Sequence, residues 1–226
     1  MTGPTIAGVL FDFGHTLFTH DAGPDVVSAA AATLGVDLSG EDAASVWAEI
    51  DAAAMAPDEV ARGRDLDDAV WRDRWAVLYG LADRVVDGLG AAIDRSFHDP
   101  WAWSPYPDTE PVLAALDAAG VPVGVVSNTG WDVRDPFRVR GLDRLVRAFT
   151  LSYECGAAKP DARIFHAACR SLDLEPAHVL MVGDDPVADS GALAAGLADL
   201  VLVDAATPVT EERGLVARLD PARLGP

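Results

Sequence analysis

Five short apolar runs, separated by segments of helical spacing, most limit what this chain can fold into. IAGVLFDF (6–13), PVGVVSN (122–128) and HVLMVGDD (178–185) are the strong ones; LVRAFTLS (145–152) and ADLVLVD (198–204) are weaker. All are rich in Val and Leu without clean alternation, as expected of strands buried on both faces. TEPVLAALDAAG, ARIFHAACRSLD and VADSGALAAG lie between them and read as helices. Strand and helix in repetition predict an α/β fold with a doubly wound parallel sheet. Such sheets carry their sites at the carboxyl ends of the strands. Three of the five runs end in Asp12, Ser127–Asn128 and Asp184–Asp185.

Residues 20–100 read differently. DVVSAAAATLG, EDAASVWAEIDAAAM, LDDAVWRDRWAVLYGL and VDGLGAAIDRSF have helical spacing and contain no strand run. The expected organisation is therefore a core of residues 1–19 and 101–226 with an all-helical insert at 20–100. WAWSPYPD reads as the return linker, and Trp71, Trp75, Trp101 and Trp103 as packing between insert and sheet. From Thr207 the chain reads as a short terminal helix or tail.

With 17 Lys plus Arg against 36 Asp plus Glu, the formal charge is −19. A surface this acidic repels a phosphate backbone, and no basic stripe opposes it, so nucleic-acid binding is not expected. Charges interrupt the Ala-rich runs before they reach bilayer length, so no membrane span is expected. The N-terminal stretch lacks a basic leader followed by a long apolar run, and Cys155 and Cys169 read as reduced thiols; a cytoplasmic location is the expectation. Sequence says nothing of the oligomeric state.

Asp12 stands where a strand meets a loop, a place from which a carboxylate can attack phosphorus or carbon. Ser127, Asn128 and the following turn offer a hydroxyl, an amide and backbone N–H groups to an anionic oxygen. Lys159, in GAAKPD, is the only lysine of the chain and precedes a proline expected to begin a helix. A cation there can neutralise a nucleophile and a bound phosphate together. In GDDPVADSGALAAG, Asp185–Pro186 reads as an N-cap with Pro at the first helical position. Asp189 then faces the same strand end as Asp184. Carboxylates crowded at one strand end repel each other, and Mg²⁺, which takes few carboxylates plus water and substrate phosphate, relieves that. Arg62, Arg64, Arg72 and Arg74 in the insert either meet an anionic substrate over Asp12 or pair with nearby acids on a solvated face.

Taken in order, DFGHTL, SN, YECGAAKPDARIF and VGDDPVADSGALAAG resemble the four motifs of the haloacid dehalogenase superfamily of hydrolases. That resemblance implies a Rossmann-like core with a small helical cap. It also implies Asp12 as nucleophile, Ser127 and Lys159 orienting the substrate, and Mg²⁺ held by Asp12, the Gly14 carbonyl, Asp184 and Asp189. A small anionic metabolite would be the substrate, with Asn128 and His15 beside it. The match departs from the family's phosphatases at Gly14, where they carry a second Asp as general acid and base. Three readings stay open: a specialised phosphatase with a good leaving group or with His15 standing in, a hydrolase of another bond such as carbon–halogen, and a binding protein that no longer turns over.

Overall fold

In the computed structural model, which describes residues 5–20, 23–208 and 210–219, the five apolar runs form one parallel sheet. Its strands are β1 (Gly8–Phe11), β4 (Val123–Ser127), β5 (Ala148–Leu151), β6 (Val179–Gly183) and β7 (Asp199–Leu202), in the order β5-β4-β1-β6-β7. Two more strands, β2 (Phe18–His20) and β3 (Trp103–Pro105), make an antiparallel ribbon with Thr19 opposite Ser104. Part of WAWSPYPD, read as a plain linker, is thus one edge of that ribbon. The ribbon closes the stem from which the helical segment departs and returns.

The lack of alternation in β1 follows from its central place. Val9 and Phe11 pack with Val123, Val125 and Val182 in one buried cluster, Leu10 with Val126 and Met181 in another. Helices cover both faces. The segment between the ribbon strands holds α1 (Pro24–Thr33), α2 (Gly40–Ala54), α3 (Pro57–Val60), α4 (Asp68–Tyr79) and α5 (Leu89–His98). Core helices are α6 (Thr109–Ala118), α7 (Arg134–Arg138), α8 (Ser152–Cys155), α9 (Ala162–Leu172), α10 (Gly191–Ala194) and α11 (Leu215–Arg218). Ile164, Phe165, Ala168, Cys169 and Leu172 form the buried stripe that seats α9 on the sheet, at the spacing of one helix face. The α1–α5 segment has its own apolar cluster, including Val27, Ile50, Tyr79, Leu89 and Ile93. Asp67 starts α4 by accepting the amides of Ala69 and Val70, each at 2.9 Å, which supplies partners to N–H groups that a helix start otherwise leaves unbonded.

Three local expectations are corrected. Asp161, not Pro160, opens α9: its carboxylate accepts the Arg163 amide at 2.9 Å, while Lys159–Pro160 is a cis peptide ahead of the helix. Asp185 accepts the amides of Val187 and Ala188 at 2.7 and 3.0 Å, but the turn it closes precedes the helix, which starts at Gly191. Trp101 is 63% exposed, stacked by Arg140 at 5.2 Å, and packs nothing between insert and sheet. The tail does carry a short helix, α11; residues 220–226 lie outside the described residues.

Candidate active site

Sheet order fixes where the site lies. After β1 the chain crosses to β4 and β5 on one side, then returns to β6 on the other, so the strand order reverses between β1 and β6. Loops leaving two such strands diverge and open a crevice. Asp12 follows β1 and Asp184 follows β6, with Phe11 paired to Val182. One carboxylate oxygen each from Asp12, Asp184 and Asp189 lies within 4.8 Å of the others.

Lys159 sits among them, 5% exposed. Its Nζ is 2.9 Å from Asp12 Oδ1 and 2.7 Å from Asp189 Oδ1. Asp189 Oδ2 accepts the Asp185 amide at 3.0 Å, and Asp184 Oδ1 accepts the Thr16 hydroxyl at 2.9 Å. One ammonium against three carboxylates leaves two negative charges uncompensated in a largely buried space. Burial foremost, then Asp189 and Asp184, push the Asp12 carboxyl up to about 6 against the pull of Lys159. Burial likewise raises Asp184, in spite of its bond from Thr16. Burial works against the charge on Lys159, but Asp12 and Asp189 outweigh it and hold the ammonium above its ordinary value. Hard oxygen donors with excess negative charge at this spacing suit a small divalent cation.

Asp12 Oδ1 also accepts the Phe13 amide at 2.7 Å, while Oδ2 takes no hydrogen bond among the described residues. Ser127, the last residue of β4, is buried beside it and makes no side-chain hydrogen bond among the described residues. The Asn128 amide is engaged at both ends, its Oδ1 accepting the Lys159 amide at 2.7 Å and its Nδ2 donating to the Lys159 carbonyl at 2.8 Å. That reciprocal pair carries Lys159 to the site across 31 residues of sequence. Gly14 and His15 continue the loop; His15 is exposed at the rim with φ of 52°, a left-handed conformation unusual for a residue with a Cβ.

What holds that loop belongs to none of the sequence motifs. Arg213, buried, donates from Nη1 to the His15 carbonyl at 2.9 Å and from Nη2 to the Thr16 carbonyl. It ion-pairs with buried Asp108 at 3.4 Å and lies 3.5 Å over the Tyr106 ring. Asp108 in turn accepts the amides of Arg213 and Leu215. As one of three arginines in an irregular tail, it has no spacing signal, so nothing in the sequence marks it.

Over Asp12 lies a cavity of about 340 Å³. The core side contributes Asp12, Gly14, His15, Ser127, Asn128, Lys159 and Asp184; the insert contributes Arg64, Asp65, Trp71, Trp75 and Phe97. Of the insert arginines at 62, 64, 72 and 74, Arg62 and Arg74 pair with Glu59, and Arg72 with Asp68. Among the described residues, Arg64 alone of them is in no ion pair. It donates to the Ala54 carbonyl at 2.9 Å and lies 5.1 Å over Trp75, its Nε buried without a partner among those residues. Asp65 follows, its main-chain carbonyl accepting the Ser152 hydroxyl at 2.6 Å, and Ser152 accepts the Thr129 amide at 2.8 Å. Burial raises the Asp65 carboxyl, with Arg64 opposing.

A family model described as haloacid dehalogenase-like hydrolase matches residues 6–196. The chain belongs to that family. The haloacid dehalogenase-like sequence is 28% identical over 185 residues to the N-acetylmuramic acid 6-phosphate phosphatase of Pseudomonas aeruginosa, covering 80% of this chain and 74% of that one. It is 33% identical over 119 residues to (S)-2-haloacid dehalogenase 1 of a Pseudomonas species, covering 52% and 50%. The matched stretch also spans about half of two vertebrate relatives, 55% in zebrafish and 48% in cattle. Among solved structures, a HAD phosphatase from Thermococcus onnurineus superposes with a TM-score of 0.62 at 22% identity, over 96% of this chain and 99% of that one. Membership of the haloacid dehalogenase-like hydrolase family, on that family's core fold, is what the matches show. No helix among the described residues is long and apolar enough to cross a membrane.

Proposed function

We propose that this hydrolase cleaves phosphate monoesters through a phospho-Asp12 intermediate and requires Mg²⁺. The observation that carries this reading is the arrangement of Asp12, Asp184 and Asp189 within 4.8 Å, bridged on one side by Lys159. A halide-displacing aspartate attacks neutral carbon and gains nothing from two further carboxylates beside it. A transferring phosphoryl group is itself anionic and needs the repulsion relieved. Mg²⁺ would be held by Asp12, Asp184, Asp189 and the Gly14 carbonyl, and supplies positive charge to the phosphoryl oxygens when bound.

Asp12 Oδ2 attacks phosphorus and the ester P–O bond breaks, so the alcohol or its anion leaves and the phosphoryl group passes to Asp12. Water then attacks that phosphorus, freeing phosphate and the carboxylate. Lys159 holds Asp12 Oδ1 and faces the incoming charge; the free Ser127 hydroxyl donates to a phosphoryl oxygen. Asn128 serves here by positioning Lys159. Arg64 adds a cation from the insert, and Arg213 keeps the Phe13–Leu17 loop in place.

The test is phosphate and halide release from a panel of phosphate monoesters and 2-haloacids, with Mg²⁺ and with chelator. Phosphate release that chelator abolishes is the expected result. Halide release without phosphate release would move the reading to carbon–halogen cleavage.

A further inference from the structure

The cavity has a wall of rings, and Gly14 stands where the family resemblance implies an acid. Phe13, Trp71, Trp75, Phe97, Trp103 and Trp131 all line it. They form one contact network, with Trp103 and Trp131 centroids 5.5 Å apart, Phe97 and Trp131 at 5.7 Å and Phe13 and Trp103 at 4.7 Å. Joining the insert to the core needs only some of them. Trp71 and Trp103 are 3% and 8% exposed and do that. Trp75, Phe97 and Trp131 stay half-buried, their remaining surface beside Asp12. A second, mostly apolar cavity of about 90 Å³ shares His15, Phe97 and Trp103 with the first and extends the same wall into the insert.

We infer that, as a phosphatase, this protein takes aryl phosphates: monoesters whose ring lies against Trp75, Phe97 and Trp131 and whose leaving group is a phenolate. The inference rests on the phosphatase reading. It accounts for Gly14 as well as for the rings. An alkoxide leaves with a pKa near that of water, about 15.7, and must be protonated as the P–O bond breaks. A phenolate, at about 10, departs as the anion and takes its proton from solvent afterwards. Loss of the acid at position 14 therefore handicaps alkyl esters and spares aryl ones. Ring stacking is worth about 0.5–1.5 kcal/mol per pair beyond burial, which converts to about 2- to 12-fold in binding for each ring engaged.

Four phosphates separate the two halves of this inference: the esters phenyl phosphate (ring, phenolate), benzyl phosphate (ring, alkoxide) and ethyl phosphate (neither), and the anhydride acetyl phosphate (no ring, good leaving group). The readout is kcat/KM with Mg²⁺ present, because it ends at departure of the leaving group and excludes hydrolysis of phospho-Asp12, which all four share. Phenyl should exceed benzyl by about 10²-fold or more, the scale of a missing general acid, and benzyl should exceed ethyl by about 10-fold. Trp131→Ala should lower phenyl and benzyl but leave acetyl, which also shows that the variant is folded. Gly14→Asp, whose Cβ meets nothing within 4 Å, should narrow the gap between phenyl and benzyl. Benzyl no better than ethyl would overturn the ring half. Phenyl no better than benzyl would overturn the leaving-group half and point to a donor such as Asp65. Ethyl and acetyl turnover alone would overturn the substrate class while leaving the phosphatase intact. No phosphate from any of the four would overturn the phosphatase reading itself, and this inference with it.

Discussion

Lys159→Met removes the ammonium that ion-pairs with both Asp12 and Asp189. Wild type sets Nζ between Asp12 and Asp189 at 2.9 and 2.7 Å, with lysine and Asp189 side chains at 2% and 0% exposure. Breaking a buried pair by deleting one partner costs about 3–5 kcal/mol, because the remaining charge keeps its desolvation penalty. The expected loss at pH 8 in chelator is of that size. Its pH dependence is the sharper test. Asp12 already sits at about 6 with Lys159 present, and losing the cation moves it higher. A carboxyl raised above its unfolded value lends stability below that unfolded value, and the contribution is lost as pH rises through the folded pKa. The deficit of the variant should therefore be small near pH 4.5 and larger at pH 8. Mg²⁺ should restore more stability to the variant than to wild type at pH 8, through binding to the folded state alone. Urea unfolding at both pH values, with chelator and with Mg²⁺, measures all of this. An equal deficit at pH 4.5 and pH 8, indifferent to Mg²⁺, would mean that the lysine acts as packing and that the carboxylates do not repel each other.

Three further outcomes follow from the contacts. Gly130→Ala places a Cβ 2.2 Å from Trp71 Cβ and Cγ, so it should cost about 1–3 kcal/mol as overpacking and shift tryptophan fluorescence, both read in one denaturant titration. Arg213→Ala leaves Asp108 buried without its cation and should cost about 3–5 kcal/mol. Arg213→Met with Asp108→Asn should regain stability but not turnover, because the His15 and Thr16 carbonyls still lose their donor. Thiol titration of native protein should modify exposed Cys155 and spare Cys169, whose thiol burial pushes up to about 11; two fast thiols would contradict the packing of α9.

How legible these features were depended on whether the physics was local. The sheet was legible because strands buried on two faces must be apolar throughout, and IAGVLFDF, PVGVVSN and HVLMVGDD are. Asp12, Asp184, Asp189 and Lys159 stood out through their place after strands and, for Lys159, through being alone of its kind. The reciprocal pair between Asn128 and Lys159 was not legible, since it joins segments 31 residues apart. Arg213 reaches the site from 197 residues away and leaves no periodic trace. The ring wall was half legible: its tryptophans were read as packing, which holds for Trp71 and Trp103. Trp131 directly follows the SNTG turn but has no periodic partner that marks it. Asp65 sits among charged residues whose spacing alone does not separate it from a solvated acid. Trp101 shows the limit of reading burial from residue type, since a proline-bounded turn carries it out into solvent.

The most direct test of the central claim is to find the intermediate. Protein mixed with phenyl phosphate and Mg²⁺, quenched in acid within the first turnovers and digested with protease, should yield the peptide bearing Asp12 heavier by one phosphoryl group. Asp12→Asn, or wild type in chelator, should yield that peptide unmodified. Steady phosphate release with an unmodified Asp12 peptide at every quench time, or release that survives Asp12→Asn, would contradict the account.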